Sequence, residues 1–204
     1  MASHVPGGNI SYENVGPNTF VITLTVFEDC GTAFYSNLPE SIDVTNDCGI
    51  PFPATIQLPN VIFQQEVSQL CVSSLTQSEC NGGSFPGVYM HVWQDTIFLP
   101  GTCDSWTFAF EDCCRNSSNN LTGTGNNYYW ETVLNSNTSP SNSSPVIASQ
   151  PIPYYCINQQ VIYNFGVYEG DGDSLHYSLI NAMTGPTTTA PYQGGFSGAV
   201  PIPG

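Results

Sequence analysis
The chain has 204 residues, and its 16 acids stand against a single cation, Arg115, for a net charge of -15. Charged residues make up only 8% of it, so its polar surface must be built from 21 Ser, 18 Thr and 18 Asn. No basic footprint exists to displace counterions from nucleic-acid phosphate or to hold an anionic membrane surface, which argues against both partners.

Strand signals dominate the chain from its start. Residues 10–15 open the pattern, and 19–27 alternate with Phe20, Ile22, Leu24 and Val26 on one face and mostly Thr on the other. Short runs follow at 41–45, 54–58, 61–66, 88–93, 96–99, 106–110 and 128–134, separated by Gly, Pro and Asn clusters. The best candidate for helix is one short turn near 67–75. The pattern predicts an all-β, antiparallel β-sandwich over residues 1–135. Residues 136–145, rich in Asn, Ser and Pro, read as a linker. Strand signals resume at 146–148, 160–167 and 174–180. The segment 146–204 is short of the roughly 100 residues of a sandwich module, so it reads as a partial β repeat. No run reaches the ~20 apolar residues of a membrane-spanning helix, which argues against direct membrane insertion. The first residues have neither the basic start nor the apolar run of a signal peptide.

Eight cysteines in an acidic, lysine-free chain point to an oxidising compartment and a disulfide-stapled fold. Cys71 and Cys80 bracket a short loop and are natural partners, with Cys30 and Cys48 the next most local pair. Adjacent Cys113 and Cys114 face opposite ways on a strand and need different partners, for which Cys103 and Cys156 are the candidates. The motif Glu169-Gly170-Asp171-Gly172-Asp173 sets three acids at alternating positions on flexible backbone. Such an array offers calcium its hard oxygen ligands, and it also describes an ordinary acidic turn. Glu28-Asp29 and Glu111-Asp112 are weaker cation candidates within an echo, Phe-Glu-Asp-Cys, that ends two strands.

Catalytic signals are poor, since His4, His91 and His176 are scattered and no nucleophile motif is present. A carboxylate pair brought together by folding could still hydrolyse a glycoside. Tyr128 and Trp130 share a strand face, where they either pack in the core or stack on a sugar. Arg115 reads as a clamp onto a carboxylate or backbone carbonyls.

Several segments together resemble a family. They are Ser3 to Gly8, Phe20 to Cys30, Glu66 to Cys71, Cys80 to Gly83, and above all Cys103-Asp104-Ser105-Trp106 leading to Cys113-Cys114-Arg115-Asn116. These resemble the large secreted, adhesin-like surface proteins of Bacteroidota associated with gliding motility. The stretch from Asn142 through Gly170-Asp171-Gly172-Asp173-Ser174-Leu175 looks like the entry of a cadherin-like or immunoglobulin-like repeat. The resemblance implies type IX secretion, location at the bacterial cell surface, repeat arrays, and calcium coordination by Asp171 and Asp173. Glu169-Gly170 stands where an Asp-Pro pair is more typical. Asp95-Thr96-Ile97 and Asp173-Ser174-Leu175 look like O-glycosylation sites of such bacteria, at Thr96 and Ser174. The expected function is non-catalytic: adhesion, or construction of an extracellular appendage. The expected partners are surface or matrix glycans and proteins, or copies of the chain itself. The alternatives are a self-assembling filament or ring subunit completed by neighbouring strands, a carbohydrate-binding module, and a secreted hydrolase.

Overall fold
The computed structural model describes residues 5–31, 35–113, 115–116, 118–123, 126–152, 160, 162 and 164–201. Eight strands form two four-stranded antiparallel sheets. The first sheet holds β1 (Gly7–Gly16), β2 (Thr19–Asp29), β5 (Asn60–Glu66) and β6 (Val88–Phe98) in the order β1-β2-β6-β5. The second holds β3 (Glu40–Asn46), β4 (Thr55–Leu58), β7 (Trp106–Asp112) and β8 (Tyr128–Leu134) in the order β4-β3-β7-β8. Pro59 alone joins β4 to β5, so the chain changes sheets at one margin of the sandwich. At the other margin β1 lies beside β8, where the Tyr12 hydroxyl donates to the Val133 carbonyl (3.5 Å).

The alternation read in β2 becomes burial. Phe20, Ile22, Leu24 and Val26 are fully enclosed and meet Ile42, Trp106, Phe108 and Tyr128 of the opposite sheet in one core. Each such side chain contributes roughly 1.5–3 kcal/mol by leaving water. Residues 88–93 and 96–99, read as two runs, are one strand over most of that length, because β6 pairs with β2 along eleven positions. Helix is confined, among the described residues, to two short 3-10 segments, Val72–Gln77 and Glu79–Asn81. The helical turn expected at 67–75 therefore begins late, because Val67 is still held in the sheet pattern by its N–H bond to the Val88 carbonyl (2.8 Å).

The cysteine pairing differs from the local one expected. The disulfides are Cys30–Cys80 and Cys48–Cys103, while Cys71 is a free, exposed thiol. Nearness along the chain yields here to nearness across the sheet. Cys30 follows β2, and the 67–87 excursion folds back over that end of the sheet, where Phe27, Val67 and Val88 form a second small core. Cys48 and Cys103 flank the adjoining ends of β3 and β7, where Asn46 sits opposite Trp106. Cys103 is thus not a partner of Cys113, which is itself disulfide-bonded. Cys114 and Cys156 lie outside the described residues.

Beyond β8, Ser143 and Ser144 run along the free edge of β1. The Ser144 hydroxyl accepts from the Tyr12 N–H (2.8 Å), and the Ser143 hydroxyl from the Asn14 N–H (3.2 Å). Then come two small ribbons: β9 (Val146–Ile147) with β10 (Val167–Tyr168), and β11 (Met183–Gly185) with β12 (Thr188–Thr189). The expected strand at 174–180 does not form. Its alternation supplies one apolar side, but no strand among the described residues pairs with it, and a strand without cross-strand partners is not stable by itself.

Candidate functional site
Inward-facing parity carries polar groups into one end of the core. After Phe20, Ile22, Leu24 and Val26, the next inward position of β2 is Glu28, and after Trp106, Phe108 and Phe110 that of β7 is Asp112. His91 precedes Trp93 on the same face of β6, and Tyr128 stands directly opposite Asp112. The repeated Phe-Glu-Asp-Cys stretches thus end the two strands that bring these acids together. Glu28, a weaker cation candidate in the sequence, is only 1% exposed.

Every polar atom of Glu28 is occupied. Its Oε2 meets His91 Nε2 at 2.8 Å, and its Oε1 accepts the Tyr35 N–H at 3.0 Å. A bulge in β5 places Gln64 in left-handed backbone (φ 51°), which aims its N–H at His91 Nδ1 (3.5 Å). Nδ1 is therefore the acceptor, and Nε2 carries the proton given to Glu28. The imidazole lies among the rings of Tyr35, Phe63, Tyr89 and Trp93, stacked on the last. Across the core the Tyr35 and Tyr128 hydroxyls bond each other, and Tyr128 also donates to Asp112 Oδ2 (3.2 Å). Burial pushes both phenols well above their ordinary value. Burial, with Asp112 adding to it, pushes the Glu40 carboxyl up to about 7. The sequence reading missed this cluster, and the signal that could have found it is strand parity, which carries Glu28 and Asp112 to the inward face.

The other expected site residues are scattered. Glu169 Oε2 accepts the N–H groups of Gly172 (2.5 Å) and Asp173 (2.8 Å), and these bonds hold its carboxyl below the ordinary value. Asp171 Oδ2 accepts the Ser143 N–H (2.6 Å). The two Glu169 bonds are those of an acidic turn. The one gathering of three ligand types among the described residues is Asp47 with Cys48 and Cys103, whose sulfurs are already joined. Of the weaker cation candidates, Glu111 accepts from the Asn127 amide (2.7 Å) and Asp29 from the Asn116 amide (2.8 Å).

Tyr128 is buried in the core, stacked on Trp130 at 4.8 Å, and has no face for a sugar. Trp130 is half-buried and lines a groove of about 370 Å³ with Ile10, Ile147, Ile180 and Met183. The indole lies so close to β1 that a Cβ on Gly8 would collide with it and with the Thr25 carbonyl. Thr96 and Ser174 are both exposed. Arg115 does clamp a backbone carbonyl, that of Met183 (2.9 Å). No helix among the described residues is long and apolar enough to cross a membrane. No protein-family model matches this chain, and neither does any curated protein or solved structure.

Proposed function
We propose that this chain is a non-catalytic module of a secreted bacterial surface protein, working in adhesion or in building an extracellular appendage. One observation carries the reading. Of nineteen exposed large apolar side chains among the described residues, ten fall between Val146 and Ile180. In the preceding sandwich such side chains are mostly buried. Leu175, Tyr177 and Leu179 alternate along a stretch that no strand among the described residues pairs with, which is the pattern of a segment that joins another sheet edge. The partner is then a neighbouring repeat, another copy, or a matrix protein or glycan. The disulfides support an oxidising, extracellular setting. The enclosure of Glu28 and His91 supports a structural rather than catalytic use of the acid–base pair.

The test is light scattering of the non-reduced protein across a concentration series, with calcium and with chelator, beside a screen on immobilised glycans and matrix proteins. Mass that rises with concentration, or retention on one surface, is expected. Either should be lost in a Tyr177→Ser, Leu179→Ser double variant that keeps its thermal midpoint. Monomers throughout, with no retention on any surface, would overturn the reading.

A further inference from the structure
One face of the sandwich gathers carboxylates that no cation answers. On the outward side of the second sheet, Asp43 of β3 and Glu131 of β8 both stand opposite Ala109 of β7. Glu111, further along β7 on the same side, stands opposite Tyr129. All three acids are exposed, and the sole ion pair among the described residues is that of His91 with Glu28. Glu131 accepts the Tyr129 hydroxyl (2.6 Å) and Glu111 the Asn127 amide (2.7 Å), so these bonds come from neutral donors. Burial pushes the Tyr129 phenol above its ordinary value, and the Glu131 bond with the charges of Glu131, Asp43 and Glu111 adds to it.

Alone, such acids would be an ordinary solvated face; the groove beside them sets this one apart. Where β1 meets β8, Glu131 lines the groove of about 370 Å³ together with Trp130, Ile10, Ile147, Ile180 and Met183. Ile147 is 44% exposed and Ile180 69%, so apolar area stands in water next to unpaired negative charge. An occupant with an apolar stem and a cationic head satisfies both. The Trp130 indole adds attraction for an ammonium or guanidinium group.

Charge complementarity selects the occupant. A second copy brings another net charge of -15 and no lysine. Its one arginine is half-buried and bonded to the Met183 carbonyl. A copy therefore has no cation to offer this face, and like charges oppose its approach. A neutral glycan would leave the carboxylates unanswered. We infer that this groove and its acidic rim dock a basic segment of a different protein, one that carries Lys or Arg beside apolar side chains. The inference rests on the surface-module reading for the existence of a partner and adds that partner's chemistry.

The experiment is an amide-resolved NMR titration of the non-reduced full chain with three blocked peptides. They share their apolar residues and carry Lys, Ser or Glu at the positions between. Saturable shifts at Ala109, Trp130, Glu131 and Ile180 are expected with the Lys peptide, about tenfold weaker binding with the Ser peptide, and none with the Glu peptide. Affinity for the Lys peptide should fall about tenfold between low salt and about 0.15 M sodium chloride.

A Glu111→Gln, Glu131→Gln double variant keeps an acceptor oxygen for each neutral donor and should bind the Lys peptide about tenfold more weakly. Ile180→Ser, at an exposed position of the groove, should weaken it about threefold. The same loss of charge elsewhere, at exposed Glu79 and Asp104 (Glu79→Gln, Asp104→Asn), should change affinity by less than about twofold. Thermal midpoints report whether each variant is folded, and the wild-type titrations decide the matter even if none is. Equal binding of the Ser peptide, no saturable response to the Lys peptide, or an equal loss in the Glu79, Asp104 variant would each overturn the inference. Self-association or retention on a glycan, found beside any of those results, would leave the surface-module reading standing.

Discussion
Glu28 and His91 show how a buried acid is tolerated in a core of aromatic and aliphatic side chains. Both carboxylate oxygens and both ring nitrogens have partners, so no desolvated atom is left unanswered. Removing one member should cost far more than the pair contributes. Glu28→Ala strands the His91 and Tyr35 N–H groups and should lower stability by about 3 kcal/mol, read as a fall in the urea midpoint of the non-reduced protein. Glu28→Gln retains one acceptor oxygen and should cost about 1 kcal/mol. Glu40 makes a pH-dependent prediction. Its folded value near 7 exceeds its ordinary 4.5, so the folded chain binds this proton more tightly than the unfolded one. That contribution is complete below about pH 4.5 and is lost as pH rises through about 7. For a half-buried group screened by solvent the loss is about 1 kcal/mol. Thermal midpoints of wild type against Glu40→Gln should therefore diverge between these limits, with wild type falling more steeply as pH rises.

At the scale of elements, the sandwich strands were legible because half-buried antiparallel strands write their two faces into alternate residues. The predicted 128–134 run is β8 to the residue, and 19–27 is β2 less its polar end. That polar end was missed for a physical reason: Glu28 and Asp112 obey the parity of their strands but not its hydrophobicity. The disulfides were not legible, since the sandwich sets Cys30 against Cys80 across 50 residues while Cys71, nine positions from Cys80, faces solvent. A loop of that length makes the Cys30–Cys80 bond worth up to about 4 kcal/mol through the unfolded state. A Cys30→Ser, Cys80→Ser double variant should lose about that much in urea unfolding. Cys71→Ser, which touches no bond, should stay within about 0.5 kcal/mol of wild type.

At the scale of the whole molecule, a net charge of -15 on 204 residues acts against compactness. With one Lys or Arg in the chain there is almost no attraction for salt to screen, only repulsion among acids. Added sodium chloride should therefore stabilise the protein at pH 7, by about 1 kcal/mol or about 2–4 °C in midpoint, where chains rich in surface ion pairs respond less. Composition and alternation by themselves determined the all-β class, the sandwich strands and the acid-only electrostatics, because these depend on residue type and on a period of two. Tertiary structure alone decided which cysteines meet and that Tyr128 faces the core. It also decided that Trp130 and Glu131 share a groove with Ile180. Each of those is a contact between residues far apart in the chain, and only the pairing and packing of the sheets sets which distant residues become neighbours.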